Sequence, residues 1–171
     1  TLKSYIGLYL KEEVKQEGLV RDLKTFSRFL EAMSFSQGQV LNLSNVARDC
    51  HVERSTASGY LELLQDLLLG SLLPVFQRAS RKALVEHEKF YYFDCGVYRT
   101  LREQGPLDMP GDVDGPALES LVFQHLTAWI AYTGQDHRLY YWRTRGGAEV
   151  DFILYGKNVF YGIEVKNTSK V

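Results

Sequence analysis

Between Gly105 and Gly115 the chain reads GPLDMPGDVDG, and this stretch sets the first limit on how it can fold. Two prolines, three glycines and three aspartates interrupt periodic structure on either side, so each flanking part must find its own apolar core. A length of 171 residues leaves room for two small domains. With 45% apolar residues there is material for both cores, and long disorder is not expected. Residues 105–115 are therefore read as a linker.

The part before it reads as helices followed by a hairpin. Residues 1–20 form a connecting helix, with Leu2, Ile6, Tyr9, Leu10 and Val14 on one face and Gly18 at its end. Residues 21–104 are winged-helix-like. Phe26, Phe29, Leu30 and Met33 share a face of a helix from Leu23 to Met33, and Ser36, Gln37 and Gly38 break it. From Leu41 to Gly70, Ser44 is placed to cap a short helix through Val46, Ala47 and Cys50. The chain bends at His51 and Val52. A longer helix from Glu53 to Leu69 follows, carrying Ala57, Tyr60, Leu61, Leu64 and Leu68 at helical spacing and stopped by Gly70. A short helix, a tight turn and a longer helix make a helix-turn-helix. Strands from Leu72 to Phe76 and from Phe90 to Phe93 then flank a polar stretch with Arg78, Arg81 and Lys82, the position of a wing. Pro74 confines the first of these strands to an edge.

The part after the linker, residues 116–171, reads as a helix and three strands, which makes the whole chain α+β. The helix runs from Ala117 to Tyr132, and the strands are Arg138–Trp142, Ala148–Leu154 and Val159–Val165. Alternation puts Glu149, Asp151 and Ile153 on one face of their strand, and Glu164 and Lys166 together on a face of the next. An antiparallel hairpin would bring Asp151 beside Glu164. Two carboxylates at close range repel, and a divalent cation relieves the repulsion; hard oxygen ligands favour magnesium or manganese. Glu119 shares a helix edge with Phe123, Leu126 and Ile130 and is a third candidate acid. The spacing Glu-x-Lys occurs also as Glu13-Val14-Lys15, but in a helical stretch, where residues two apart do not face each other. From pattern alone, Glu164 and Lys166 read equally well as an exposed cross-strand ion pair, and Glu119 as a surface acid.

A helix acid, a strand aspartate and a following Glu-x-Lys resemble the PD-(D/E)xK nuclease superfamily, the restriction-endonuclease-like fold. The runs YLKEEVKQEGLVRDL, NLSNVARDCHVERSTASGYLELLQDLLLG, KFYYFDCGV and GGAEVDFIL with GIEVKN are similar to the C-terminal region of a family of bacterial and archaeal AAA-type ATPases. That region pairs a winged helix with a nuclease-like domain. The resemblance implies that Asp151, Glu164 and the backbone carbonyl of Val165 bind Mg2+ or Mn2+, with Glu119 supporting the ion directly or through water. It implies that Lys166 positions the attacking water and stabilises charge developing on phosphorus, in a metal-assisted phosphodiester hydrolysis. The superfamily core continues past the lysine strand, so residues 116–171 are expected to be its beginning. No G-x-x-x-x-G-K-[ST] occurs, and ATP would enter only through a separate ATPase domain.

Charge narrows the choice of partners. The net charge is −1, so any nucleic-acid contact must rest on local patches. Arg54 and Ser55, at the start of the second helix of the helix-turn-helix, suit phosphate, as does the Arg78, Arg81 and Lys82 cluster. Such tri-helical domains also serve as protein-binding adaptors, which is the second reading of this half. Arg143 and Arg145 stand before the Asp151 strand and read as a phosphate contact or a solvated turn. Cys50 and Cys95 are isolated and read as free thiols in a reducing, cytosolic setting. No apolar run approaches a membrane span, and unpaired sheet edges allow a homodimer.

Overall fold

The computed structural model describes residue 14 and residues 20–77, 87–144 and 146–167. The expected helix face of Leu2, Ile6, Tyr9 and Leu10, the wing residues Arg78, Arg81 and Lys82, and Arg145 lie outside the described residues. Val14 is helical and buried in the first core. Among the described residues the chain is mixed α/β, with two small antiparallel sheets. No described helix is long and apolar enough to cross a membrane.

Helix α1 (Leu23–Ser34) begins at Asp22, whose carboxylate accepts from the Lys24 amide at 2.9 Å and from the Thr25 hydroxyl. It buries Phe26, Phe29, Leu30 and Met33, the face that its spacing predicts. Helix α2 (Leu43–Asp49) is capped by Asn42 rather than Ser44: the Asn42 side chain accepts from the Asn45 amide at 3.1 Å. After a turn in which His51 takes φ 56°, α3 (Arg54–Asp66) lays Ala57, Leu61 and Leu64 on the first core.

Gly70 does not stop α3. The stop is two residues earlier, at Leu68, which adopts φ 57°. The Leu69 amide donates to the Leu64 carbonyl at 2.8 Å and the Leu68 amide to the Gln65 carbonyl at 3.0 Å. That bond pair is the Schellman end of a helix, with leucine where glycine is favoured. The Leu68 side chain is 78% exposed and gains little from burial. Leu68→Gly is therefore expected to stabilise the protein by about 1 kcal/mol, the steric cost of a left-handed L-residue, as read by urea denaturation. A variant less stable than the parent would reject that balance. Gly70 instead lies in β1 (Gly70–Leu73), where an added Cβ would stand 2.7 Å from Cε2 of buried Phe90.

Strand β1 pairs antiparallel with β2 (Lys89–Tyr92), Leu72 opposite Phe90. On the other edge of β2, the Gly38 amide donates to the Phe90 carbonyl at 2.8 Å and the Phe90 amide to the Gln39 carbonyl at 3.1 Å. All four residues of β2 are buried as a result. Helix α4 (Cys95–Leu101), which periodicity does not reveal, follows at once; the Asp94 carboxylate accepts from the Gly96 and Val97 amides at 2.8 and 2.9 Å.

Helix α5 spans Pro110–Thr133, so the stretch read as a linker is helical from Pro110 on. Proline at the first helical position loses no bond, and Asp112 accepts from the Met109 amide at 2.8 Å. Val113 and Ala117 then bury in the first core, which outweighs the glycines and Pro116 inside the helix. Strands β3 (Arg138–Arg143), β4 (Glu149–Gly156) and β5 (Val159–Ile163) form the second sheet in that order, both pairs antiparallel. The chain after β1 reaches this sheet: the Tyr141 amide donates to the Pro74 carbonyl at 3.0 Å, and the Phe76 amide to the Tyr141 carbonyl at 2.6 Å.

Two apolar clusters result. One gathers α1 to α4 with Phe90, Tyr92, Val113 and Ala117; the other gathers Leu73, Tyr91, Phe123, Tyr141 and Phe152. Both β2 and α5 contribute to each cluster, so the two parts of the sequence are packed against each other through shared elements.

Candidate functional site

Strand alternation sends the side chains of β2 two ways. Phe90 and Tyr92 enter the first cluster, while Tyr91 enters the second. The Tyr91 ring stacks on Phe123 of α5, centroids 4.4 Å apart and planes at 14°. One helical turn before Phe123, on the same face, is Glu119, and the Tyr91 hydroxyl donates to Glu119 Oε1.

Lys89 reaches the same place. Its side chain is only 3% exposed, and its Nζ lies 3.2 Å from Glu119 Oε1 and 2.5 Å from Glu149 Oε1. It also stands 5.5 Å from the centroid of the Tyr141 ring. Arg143 Nε approaches the other Glu149 oxygen at 3.5 Å. On the far side of Glu119 is Gly38, with φ 67°, where an added Cβ would meet Glu119 Oε2 at 3.3 Å. The backbone of the first part therefore forms a wall against this carboxylate.

The ionisation of the cluster follows from burial and charge. Burial pushes the Glu119 carboxyl above its usual range and Asp151 adds to the rise, against the pull of Lys89 and Tyr91. Burial alone would lower the Lys89 ammonium, but Glu119 and Glu149 outweigh it and hold it above its ordinary value. Burial, then Glu119, keeps the Tyr91 hydroxyl protonated, so it acts as a donor.

Asp151 enters through an irregularity in β4. Tyr140 pairs with Ile153 and Trp142 with Val150, which leaves Asp151 and Phe152 both opposite Tyr141. Asp151 Oδ2 accepts from the Val165 amide at 2.7 Å. Phe152 pairs with Ile163, the last paired position at the end of β5, so Glu164 lies just beyond the ladder. Val165 is half-buried against the second cluster, whereas Glu164 and Lys166 are exposed.

The structure thus gathers Glu119 and Glu149 about Lys89, with Asp151 near enough to act electrostatically on Glu119 and Tyr91, and leaves Glu164 and Lys166 exposed. Carboxylate oxygens suit Mg2+ or Mn2+. Among the described residues, however, no group of three or more His, Cys, Asp or Glu stands close enough to hold a metal ion. In this arrangement the described residues do not form a cation cage, and Glu119 is paired with the Lys89 ammonium group. Arg54 and Ser55 are exposed at the start of α3, and Arg143 is paired with Glu149. Sequence reasoning missed Lys89, Tyr91 and Gly38. The available signal was Lys89-Phe90-Tyr91-Tyr92 itself, a lysine two residues from a tyrosine on the same face of an otherwise apolar strand.

Residues 1–108 match the family described as Domain of unknown function (DUF8612), and the chain belongs to that family. Residues 114–171 match a second, Domain of unknown function (DUF4143). The two matches meet within the 105–115 stretch. Among relatives, the chain is 30% identical over 168 residues to Uncharacterized protein Mb2031c of Mycobacterium bovis and, at the same identity and span, to Uncharacterized protein Rv2008c of Mycobacterium tuberculosis. The alignment takes in 96% of this chain and 37% of each relative, so the chain spans little more than a third of their length. No solved structure matches.

Proposed function

We propose that the chain is the C-terminal module of an AAA-type ATPase, in which a winged-helix part is followed by the beginning of a PD-(D/E)xK-type, nuclease-like domain acting on nucleic acid in the cytoplasm. The observation that carries this reading is the 2.7 Å bond from the Val165 amide to Asp151, which ties the Glu164-Val165-Lys166 segment to the β4 aspartate on the side where Glu119 approaches from α5. The match of residues 114–171 to the second family fits the resemblance to the C-terminal region of those ATPases. A Mg2+ or Mn2+ ion would supply a Lewis acid and an activated water for phosphodiester hydrolysis. Asp151, Glu164 and the Val165 carbonyl would hold it, with Glu119 joining once it leaves Lys89. Lys166, exposed beside them, would meet the phosphate charge.

The buried Lys89 pair favours a second reading, in which the same fold is a scaffold and the chain a non-catalytic adaptor that docks a partner or DNA through α2 and α3. Nicking of supercoiled DNA with Mn2+ or Mg2+, using a polypeptide extended past Val171, separates the two. Metal-dependent nicking lost in both Asp151→Ala and Lys166→Ala is the expected result. A folded, extended protein that nicks nothing would leave the adaptor.

A further inference from the structure

We infer that Lys89 is the resident cation of the acid pocket, and that its ammonium group keeps a divalent ion off Glu119. The inference rests on the reading of Glu119 and Asp151 as a metal site and adds what an entering ion must displace.

Lysine is among the residues least often fully buried, and where it is buried it is paired. Here the pairing is double, to Glu119 and Glu149, with Asp151 close enough to act on Glu119 electrostatically. The species that most nearly replaces an ammonium group among such oxygens is a metal cation. An ion entering on the Asp151 side must therefore compete with Nζ for Glu119 Oε1.

The competitor comes from a different part of the chain than the acids. Lys89 belongs to the 1–108 region, whereas Glu119, Glu149 and Asp151 belong to the 114–171 region. Its strand is fastened to the segment between α1 and α2: Gly38 and Gln39 exchange backbone bonds with Phe90, and the Tyr92 amide donates to Gln37 Oε1 at 2.9 Å. Gly38 is also the residue that backs onto Glu119. The same segment is held to α5 by the bond from Gln37 Nε2 to the Ser120 hydroxyl at 2.8 Å, so the elements that place Lys89 and the helix that carries Glu119 are fastened together.

The test is Mn2+ binding, followed by the loss of the free-ion paramagnetic resonance signal, in the wild type, Lys89→Met and Lys89→Met/Glu149→Gln. The double variant removes the carboxylate that Lys89→Met leaves unpaired, and so remains informative if the single variant does not fold. Both variants are expected to bind Mn2+ about tenfold or more tightly than the wild type, the scale of an ordinary coupling between two competing ligands, and the ion is expected to raise their melting temperatures but not that of the wild type. If the wild type binds Mn2+ as tightly as the variants, Lys89 excludes nothing and the inference fails while the metal site stands. If folded variants bind no Mn2+, the metal site itself is wrong, and the inference falls with it.

Discussion

Replacing Lys89 with methionine, in the absence of metal, is expected to lower stability by about 3 kcal/mol, seen as a fall in the urea midpoint at unchanged m-value. Methionine keeps an apolar stem close to that of lysine and is one heavy atom shorter, so the loss comes chiefly from charge and little from a cavity. It comes from two carboxylates. Glu119 and Glu149 have side chains only 17% and 28% exposed, and each would lose its closest cation. Breaking a buried pair from one side costs far more than the pair contributes, because the remaining charge is stranded. The exposed pair of Arg99 and Asp114, 53% and 47% exposed, is the internal comparison: removing Arg99 should cost about 1 kcal/mol or less and vanish in salt, whereas the Lys89 effect should persist. A Lys89→Met loss no larger than that of Arg99→Ala would mean that water reaches Glu119 and Glu149 freely and that the pocket is not a desolvated site.

The helical part of the fold was legible in the sequence because its helices are amphipathic and their apolar positions recur at helical spacing. Phe26, Phe29, Leu30 and Met33 were placed on one face by spacing and are buried together. Helix α5 is different. It is apolar around most of its circumference, and its first turns are written in proline, glycine and aspartate, so its beginning reads as a break. What makes those turns helical is tertiary: Val113 and Ala117 have a core to enter. The end of α3 was misplaced for a similar reason. Gly70 looks like the stop, but the left-handed residue is Leu68, and the glycine is needed for the close approach of Phe90. Of the site, the strands β4 and β5 were legible from alternation and from the turn between them, whereas the bond from the Val165 amide to Asp151 was not. Lys89 was missed because its local signal, a lysine two residues before a tyrosine in an apolar strand, does not say that it meets two acids 30 and 60 positions downstream; the packing of β2 between two cores decides that.

That packing is also where the protein should be most sensitive to a single polar deletion. Gln37 is 2% exposed and spans the two parts: its Oε1 accepts from the Tyr92 amide at 2.9 Å and its Nε2 donates to Ser120 of α5 at 2.8 Å. Gln37→Ala is expected to cost about 3 kcal/mol, one buried amide left without a partner plus the volume of the lost side chain. Gln37→Leu restores the volume but not the bonds, and should recover less than half of that. Ser120→Ala removes only one bond and should cost about 1 kcal/mol. The informative quantity is the double variant. If Gln37 joins the parts through Ser120, Gln37→Ala/Ser120→Ala will be no worse than Gln37→Ala alone, a coupling of about 1 kcal/mol by double-mutant cycle. Strict additivity would place the strength of Gln37 in its bond to β2 alone. The seam between the helical part and the acid pocket would then rest on Lys89, Tyr91 and the shared apolar contacts.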